Sequence, residues 1–86
     1  MAIFAEFGKY KNSGVSADSV EVQHLVCKLQ AYITSNYYTC TDQILAGLGK
    51  MYVADERFKK NIDVYGTKTA ELVADSIQVY CKTKSL

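Results

Sequence analysis

Apolar positions recur along most of this chain at intervals of three and four residues, without any sustained apolar-polar alternation. That is the spacing of helices that each lay one side on a shared core. The first such run, residues 1–11, carries Ile3, Phe4, Phe7 and Tyr10 on one aromatic face. It is short and has no capping residue at its start, so it needs packing to persist. Asn12-Ser13-Gly14 is a turn signal. Asp18 with Glu21 three residues later reads as a capping box that launches the next helix. That helix, about residues 19–37, is the longest, and its side chains form two stripes. The main one is Val22, Leu25, Val26, Leu29, Ile33 and Asn36; nearly opposite lie Val20, Cys27, Ala31 and Tyr38, with His24 beside them. Burial of both sides between neighbouring helices is the first expectation, and an open cleft along the second side is the other.

Residues 37–42 interrupt the pattern, and Thr39 or Thr41 can cap a helix over roughly 42–53 whose buried side is Ile44, Leu45, Leu48 and Tyr52. Gly47 and Gly49 each weaken that helix by about 1 kcal/mol relative to alanine, and close approach of another helix would account for them. The next helix follows almost without a loop. Asp55 can accept from its unpaired amides, and Glu56 adds negative charge to its first turn. Residues 47–58 are therefore read as a rigid corner with a wedge beside it. The helix from Asp55 runs to Val64 with Phe58 and Ile62 inward and Lys59 and Lys60 outward. Tyr65-Gly66 ends it. Thr67 or Thr69 starts the last helix, with a core stripe of Ala70, Val73, Ala74, Ile77, Tyr80 and Cys81. Lys82 and Lys84 suit its end, after which the chain is expected to fray.

Composition sharpens this picture. Eighty-six residues, 49% of them hydrophobic and none of them proline, fit one all-α domain. Residues 1–15 are its N-terminal helix and turn, and 16–83 its helical core. A net charge of +1 offers no basic surface for direct nucleic-acid contact. With no apolar run near membrane length and no secretory leader, the chain reads as soluble and cytoplasmic, without a membrane partner. Three cysteines and one histidine build neither a disulfide framework nor a zinc site; His24 and Cys27, one turn apart, lack a second pair of ligands. No metal or cofactor is expected.

Nor is an enzyme. The chain has no glycine-rich phosphate loop, no HExxH and no cysteine with an evident base, and Asp55-Glu56 is better read as a helix cap. Cys81, inside a core stripe, reads as an inert apolar residue. Cys40 stands at a helix start, where amide dipoles lower a thiol's pKa, with Asp42 pushing the other way. The remaining unusual feature is aromatic content: seven tyrosines and three phenylalanines. Tyr32, Tyr37, Tyr38, Tyr52, Phe58 and Tyr65 fall on or near helix ends flanking the corner. An apolar cleft edged with a few hydroxyls is the usual form of a small-molecule site.

The string Gly47-Leu48-Gly49-Lys50-Met51-Tyr52-Val53-Ala54-Asp55-Glu56-Arg57-Phe58, with Asn61-Ile62-Asp63, Tyr65-Gly66 and Ala70-Glu71, resembles the TipAS antibiotic-recognition domain. Weaker similarity from Glu21-Val22-Gln23 onward extends the match over about residues 16–81. That family occurs at the C-terminus of MerR-type transcription activators or as a free-standing protein. The resemblance implies a globin-like array of about five helices without haem, and a cleft that captures bulky hydrophobic drugs such as thiopeptides. In a longer regulator, capture would be relayed to a fused MerR-type DNA-binding region. The residues expected to meet a ligand are Phe7, Cys27, Ala31, Tyr37, Tyr38, Cys40, Met51, Tyr52, Phe58 and Tyr65. Cys40 is the candidate for covalent attachment to a dehydroalanine of the drug, and residues 1–11 for part of the cleft or its lid. The chain departs from the family where an aromatic-rich helix carries tryptophan, having Tyr32 and Tyr37 instead. The competing reading is a helical protein-interaction or dimerisation module without a small-molecule ligand.

Overall fold

Val22, Leu25, Val26, Leu29 and Ile33, the main stripe of the longest helix, are all buried, and the first and last helices pack most closely on it. The structure, a computed structural model, describes residues 2–84. Its elements are α1 (Ala2–Asn12), α2 (Val20–Asn36), α3 (Asp42–Ala54), α4 (Glu56–Asp63) and α5 (Thr69–Lys84), with no strand among the described residues. The fraying expected at 85–86 lies outside them.

The widest helix pair is α3 on α5. Its close approach depends on Gly49, where a Cβ would come within 3.2 Å of the Ile77 side chain. Gly47 has nothing within 4 Å of such an atom, so only one of the two glycines serves packing. Leu45 and Tyr52 are buried on α3, whereas Ile44 is 39% exposed. From α5, Ala70, Leu72, Val73 and Ile77 enter the core. The buried hydroxyls of that helix stay paired, Ser76 donating to the Val73 carbonyl at 2.9 Å and Thr69 to that of Gly66 at 2.6 Å. Phe7 anchors α1 in the same core at 0% exposure.

Capping residues set most boundaries. Ser19, and not Asp18, caps α2: its hydroxyl accepts from the Val22 amide at 3.3 Å, while the Asp18 carboxylate accepts from the Ser16 hydroxyl at 2.6 Å. Thr41 caps α3, accepting from the Ile44 amide at 3.2 Å. Asp55 serves two helices. Its amide donates to the Met51 carbonyl as α3 ends, and its carboxylate accepts from the Arg57 amide at 2.9 Å as α4 begins. Asp63 reaches across the turn after α4 to accept from the Ala70 amide at 2.9 Å, and Lys68 in that turn adopts φ 66°.

The second stripe of α2 is not buried between helices. Val20 is 82% exposed, and His24, Cys27 and Ala31 are exposed with it; Asn36, assigned to the main stripe, also faces solvent. The helices that pack most on α2 are α1 and α5, and they cover its main stripe, which leaves the opposite side to solvent. No helix among the described residues is long and apolar enough to cross a membrane.

Candidate functional site

The corner made by Asp55 brings the last turns of α3 and the first turn of α4 side by side, so Tyr52 and Phe58 meet with ring centroids 5.9 Å apart. Phe4 of α1 sets its edge against Tyr52 at 5.6 Å, with the planes at 87°. Across from them stand Leu29, Tyr32 and Ile33 of α2 and Tyr37 and Tyr38 at its end, where Tyr32 and Tyr37 pack at 6.2 Å. With Leu48 these side chains line a groove of about 250 Å³. Its floor is apolar, Leu29, Ile33 and Tyr52 each being buried, while Tyr32, Tyr37, Tyr38 and Phe58 form an exposed rim. No ionisable acid or base other than tyrosine lines it. A larger hollow of about 380 Å³, lined by Glu56, Lys59, Lys60, Asp63 and Val64, lies along α4 alone and is mostly charged, which makes it a solvated helix face.

The rim hydroxyls give the groove its polar edge. Burial, then the neighbouring Tyr38 phenol and Cys40 thiol, push the pKa of Tyr52 up to about 12. Tyr52 therefore stays neutral and able to donate at any physiological pH. Flat aromatic faces carrying hydroxyls, with two rotatable side-chain bonds each, suit a planar, multi-ring, uncharged ligand.

The chain matches the model of the TipAS antibiotic-recognition domain over residues 1–80. It belongs to that family. Similar proteins include the HTH-type transcriptional activator mta of Bacillus subtilis, 38% identical over 64 residues that cover 74% of this chain and 25% of that protein. The HTH-type transcriptional activator TipA of Streptomyces coelicolor is 35% identical over 66 residues, covering 77% of this chain and 26% of TipA. This TipAS domain thus spans about a quarter of the length of these relatives. It is also similar, with a TM-score of 0.89 and 28% identity, to the solved structure of TipAS from Streptomyces lividans in complex with nosiheptide. That match covers 99% of this chain and 59% of the other.

Of the residues expected to meet a ligand, the TipAS domain gathers Tyr37, Tyr38, Tyr52 and Phe58 in the groove, together with Tyr32. The others lie elsewhere. Phe7 is wholly enclosed in the core, Met51 is half-buried against it, and Cys27 and Ala31 sit on the exposed stripe of α2. Tyr65 borders α1 at Gly8, where an added Cβ would lie 2.6 Å from the Tyr65 carbonyl oxygen. Cys40 does stand just before the α3 cap, but it is 4% exposed, and burial followed by the charge of Asp42 raises its pKa. Both effects oppose the thiolate that its helix-start position would favour. Leu29, Ile33 and Leu48 complete the groove unforeseen, and Phe4 enters it from residues 1–11, the segment expected as part of the cleft or its lid. Leu29 and Ile33 are the C-terminal end of the main α2 stripe, which runs past the last helix able to cover it.

Proposed function

We propose that this domain recognises bulky hydrophobic antibiotics of the thiopeptide kind in the aromatic groove at the α3–α4 corner. It does so as the effector part of a MerR-type transcriptional regulator, or as a free-standing protein that sequesters the drug. The observation that carries the proposal is the groove itself, an apolar floor with an aromatic rim, its lining drawn from α1, α2 and its end, α3 and α4. Its support comes from membership of the TipAS family and from a structural relative solved in complex with nosiheptide.

Stacking on preordered rings and release of water from the floor supply the binding energy, and no charge pairing is required. At about 250 Å³ the groove is smaller than the usual cavity for a drug-sized molecule. A thiopeptide therefore seats one ring system in the floor and lays the remainder over the rim, with α1 as one wall. Capture is noncovalent in this reading, because the Cys40 thiol is buried and its surroundings disfavour the thiolate. The role is binding without turnover, in the cytoplasm, with DNA contacted by a fused region instead of this domain.

The test is a titration with nosiheptide. The chain has no tryptophan and four of its seven tyrosines line the groove, so tyrosine emission responds to its occupation. Saturable quenching is expected, and Tyr38→Ala should weaken binding roughly tenfold, as loss of a central aromatic contact does. Unchanged emission across a thiopeptide panel removes this ligand class.

A further inference from the structure

We infer that Gln30 and Thr34 are positioning residues for the groove, fixing the backbone of Cys40 so that Tyr37 and Tyr38 are presented along its rim. The two side chains stand one turn apart on α2 and hold both polar groups of one residue. The Thr34 hydroxyl accepts from the Cys40 amide at 3.1 Å, and the Gln30 carboxamide donates to the Cys40 carbonyl at 2.9 Å. Gln30 also donates to the Asp42 carboxylate at 2.9 Å and accepts from the Tyr80 hydroxyl at 2.9 Å. It thus links α2, the 37–41 connector and α5.

The chemistry of these partners demands glutamine. A carbonyl and a carboxylate can only accept, so the carboxamide nitrogen must face Cys40 and Asp42, which turns its oxygen toward the tyrosine hydroxyl. Glutamate cannot donate at the first two positions, and lysine cannot accept at the third. Cys40 itself, buried at 4% exposure, works as the pin that is held. On its N-terminal side the chain leaves α2 through Tyr37 and Tyr38, whose amides still bond to the Ile33 carbonyl at 2.9 and 3.2 Å. With both ends tied, these two rings, 70% and 48% exposed, are kept at the groove without being packed into it. A rim ordered in advance saves the entropy of fixing it when the ligand arrives.

The inference rests on the reading of the groove as an antibiotic site, and the experiment separates the two. Nosiheptide affinity and amide hydrogen exchange are measured for the unaltered chain, for Gln30→Glu and Thr34→Val, and for the core variant Val73→Ala as a control of lowered stability. Each clamp variant is expected to speed exchange at Cys40 and Tyr38 and to weaken nosiheptide roughly tenfold, the scale of losing one or two part-buried hydrogen bonds. Val73→Ala should weaken it at most about twofold. Clamp variants that bind within about twofold of the unaltered chain overturn the inference while leaving the antibiotic reading intact. An equal loss in Val73→Ala overturns it as well, since general loosening would then explain the effect. Failure of the unaltered chain to bind nosiheptide overturns the antibiotic reading, and the clamp's part in binding with it.

Discussion

Tyr52 has its ring against Phe4 and Phe58 and its hydroxyl near Tyr38 and Cys40, surroundings that disfavour a phenolate. A phenol whose pKa rises on folding, here from 10.0 to about 12, holds its proton more tightly in the folded than in the unfolded chain. Its contribution to stability is complete below pH 10 and is lost as the pH climbs from there to about 12. Denaturant unfolding across that window should show falling stability, and Tyr52→Phe should flatten the fall; an unchanged slope in the variant would assign it to other groups. The cysteines differ in the same physical way. Exposed Cys27 should react first with a thiol alkylating reagent while Cys40 stays protected until the chain unfolds, and early modification at Cys40 read by peptide mass would contradict its burial. A helix-start position was visible in the sequence for Cys40, but the burial that outweighs the helix dipole was not, because it comes from the fold around residue 40 and from Gln30 and Thr34 on another helix.

Helix ends were the most legible feature at the level of elements, since caps are local chemistry: Thr41 and Asp55 stand where hydroxyl and carboxylate spacing put them, and α5 starts at Thr69 although its first free amide goes to Asp63. At α2 the sequence pointed to Asp18, but its carboxylate takes the Ser16 hydroxyl and the role falls to Ser19. Glycines were less legible, because what approaches them is far away in the chain. Gly49 meets Ile77 and Gly8 meets Tyr65, whereas Gly47 faces open space. Gly47→Ala should therefore stabilise the domain by about 0.5–1 kcal/mol, the ordinary gain of replacing glycine inside a helix. Gly8→Ala places a methyl against the backbone of residue 65 and should cost about 1–3 kcal/mol, as overpacking does. Opposite shifts in the denaturation midpoints of the two variants are the expected result; equal shifts would mean that α1 does not rest on the turn after α4.

The groove belongs to no single helix, which is why only part of it could be found by periodicity. Tyr37, Tyr38, Tyr52 and Phe58 were legible as aromatics around a corner, but Phe4, Leu29, Ile33 and Leu48 carry ordinary core spacing and become lining only because the other helices stop short of them. Helix α1 shows both roles within one turn. Phe7 is enclosed on every side, whereas Phe4, three residues before it, leans edge-on against Tyr52 and forms the groove wall. For a domain of 86 residues the whole stability is on the order of 4–13 kcal/mol. Phe7→Ala, removing a fully buried ring, should cost about 3–5 kcal/mol and bring the chain close to unfolding near body temperature. Phe4→Ala loses one edge contact and part of a half-exposed ring, about 1 kcal/mol, yet it opens the groove on one side and should weaken nosiheptide more than stability. Thermal melts and titrations on both variants decide the matter. If Phe4→Ala lowers the melting temperature as far as Phe7→Ala does, then Phe4 is a structural prop and the groove wall lies elsewhere.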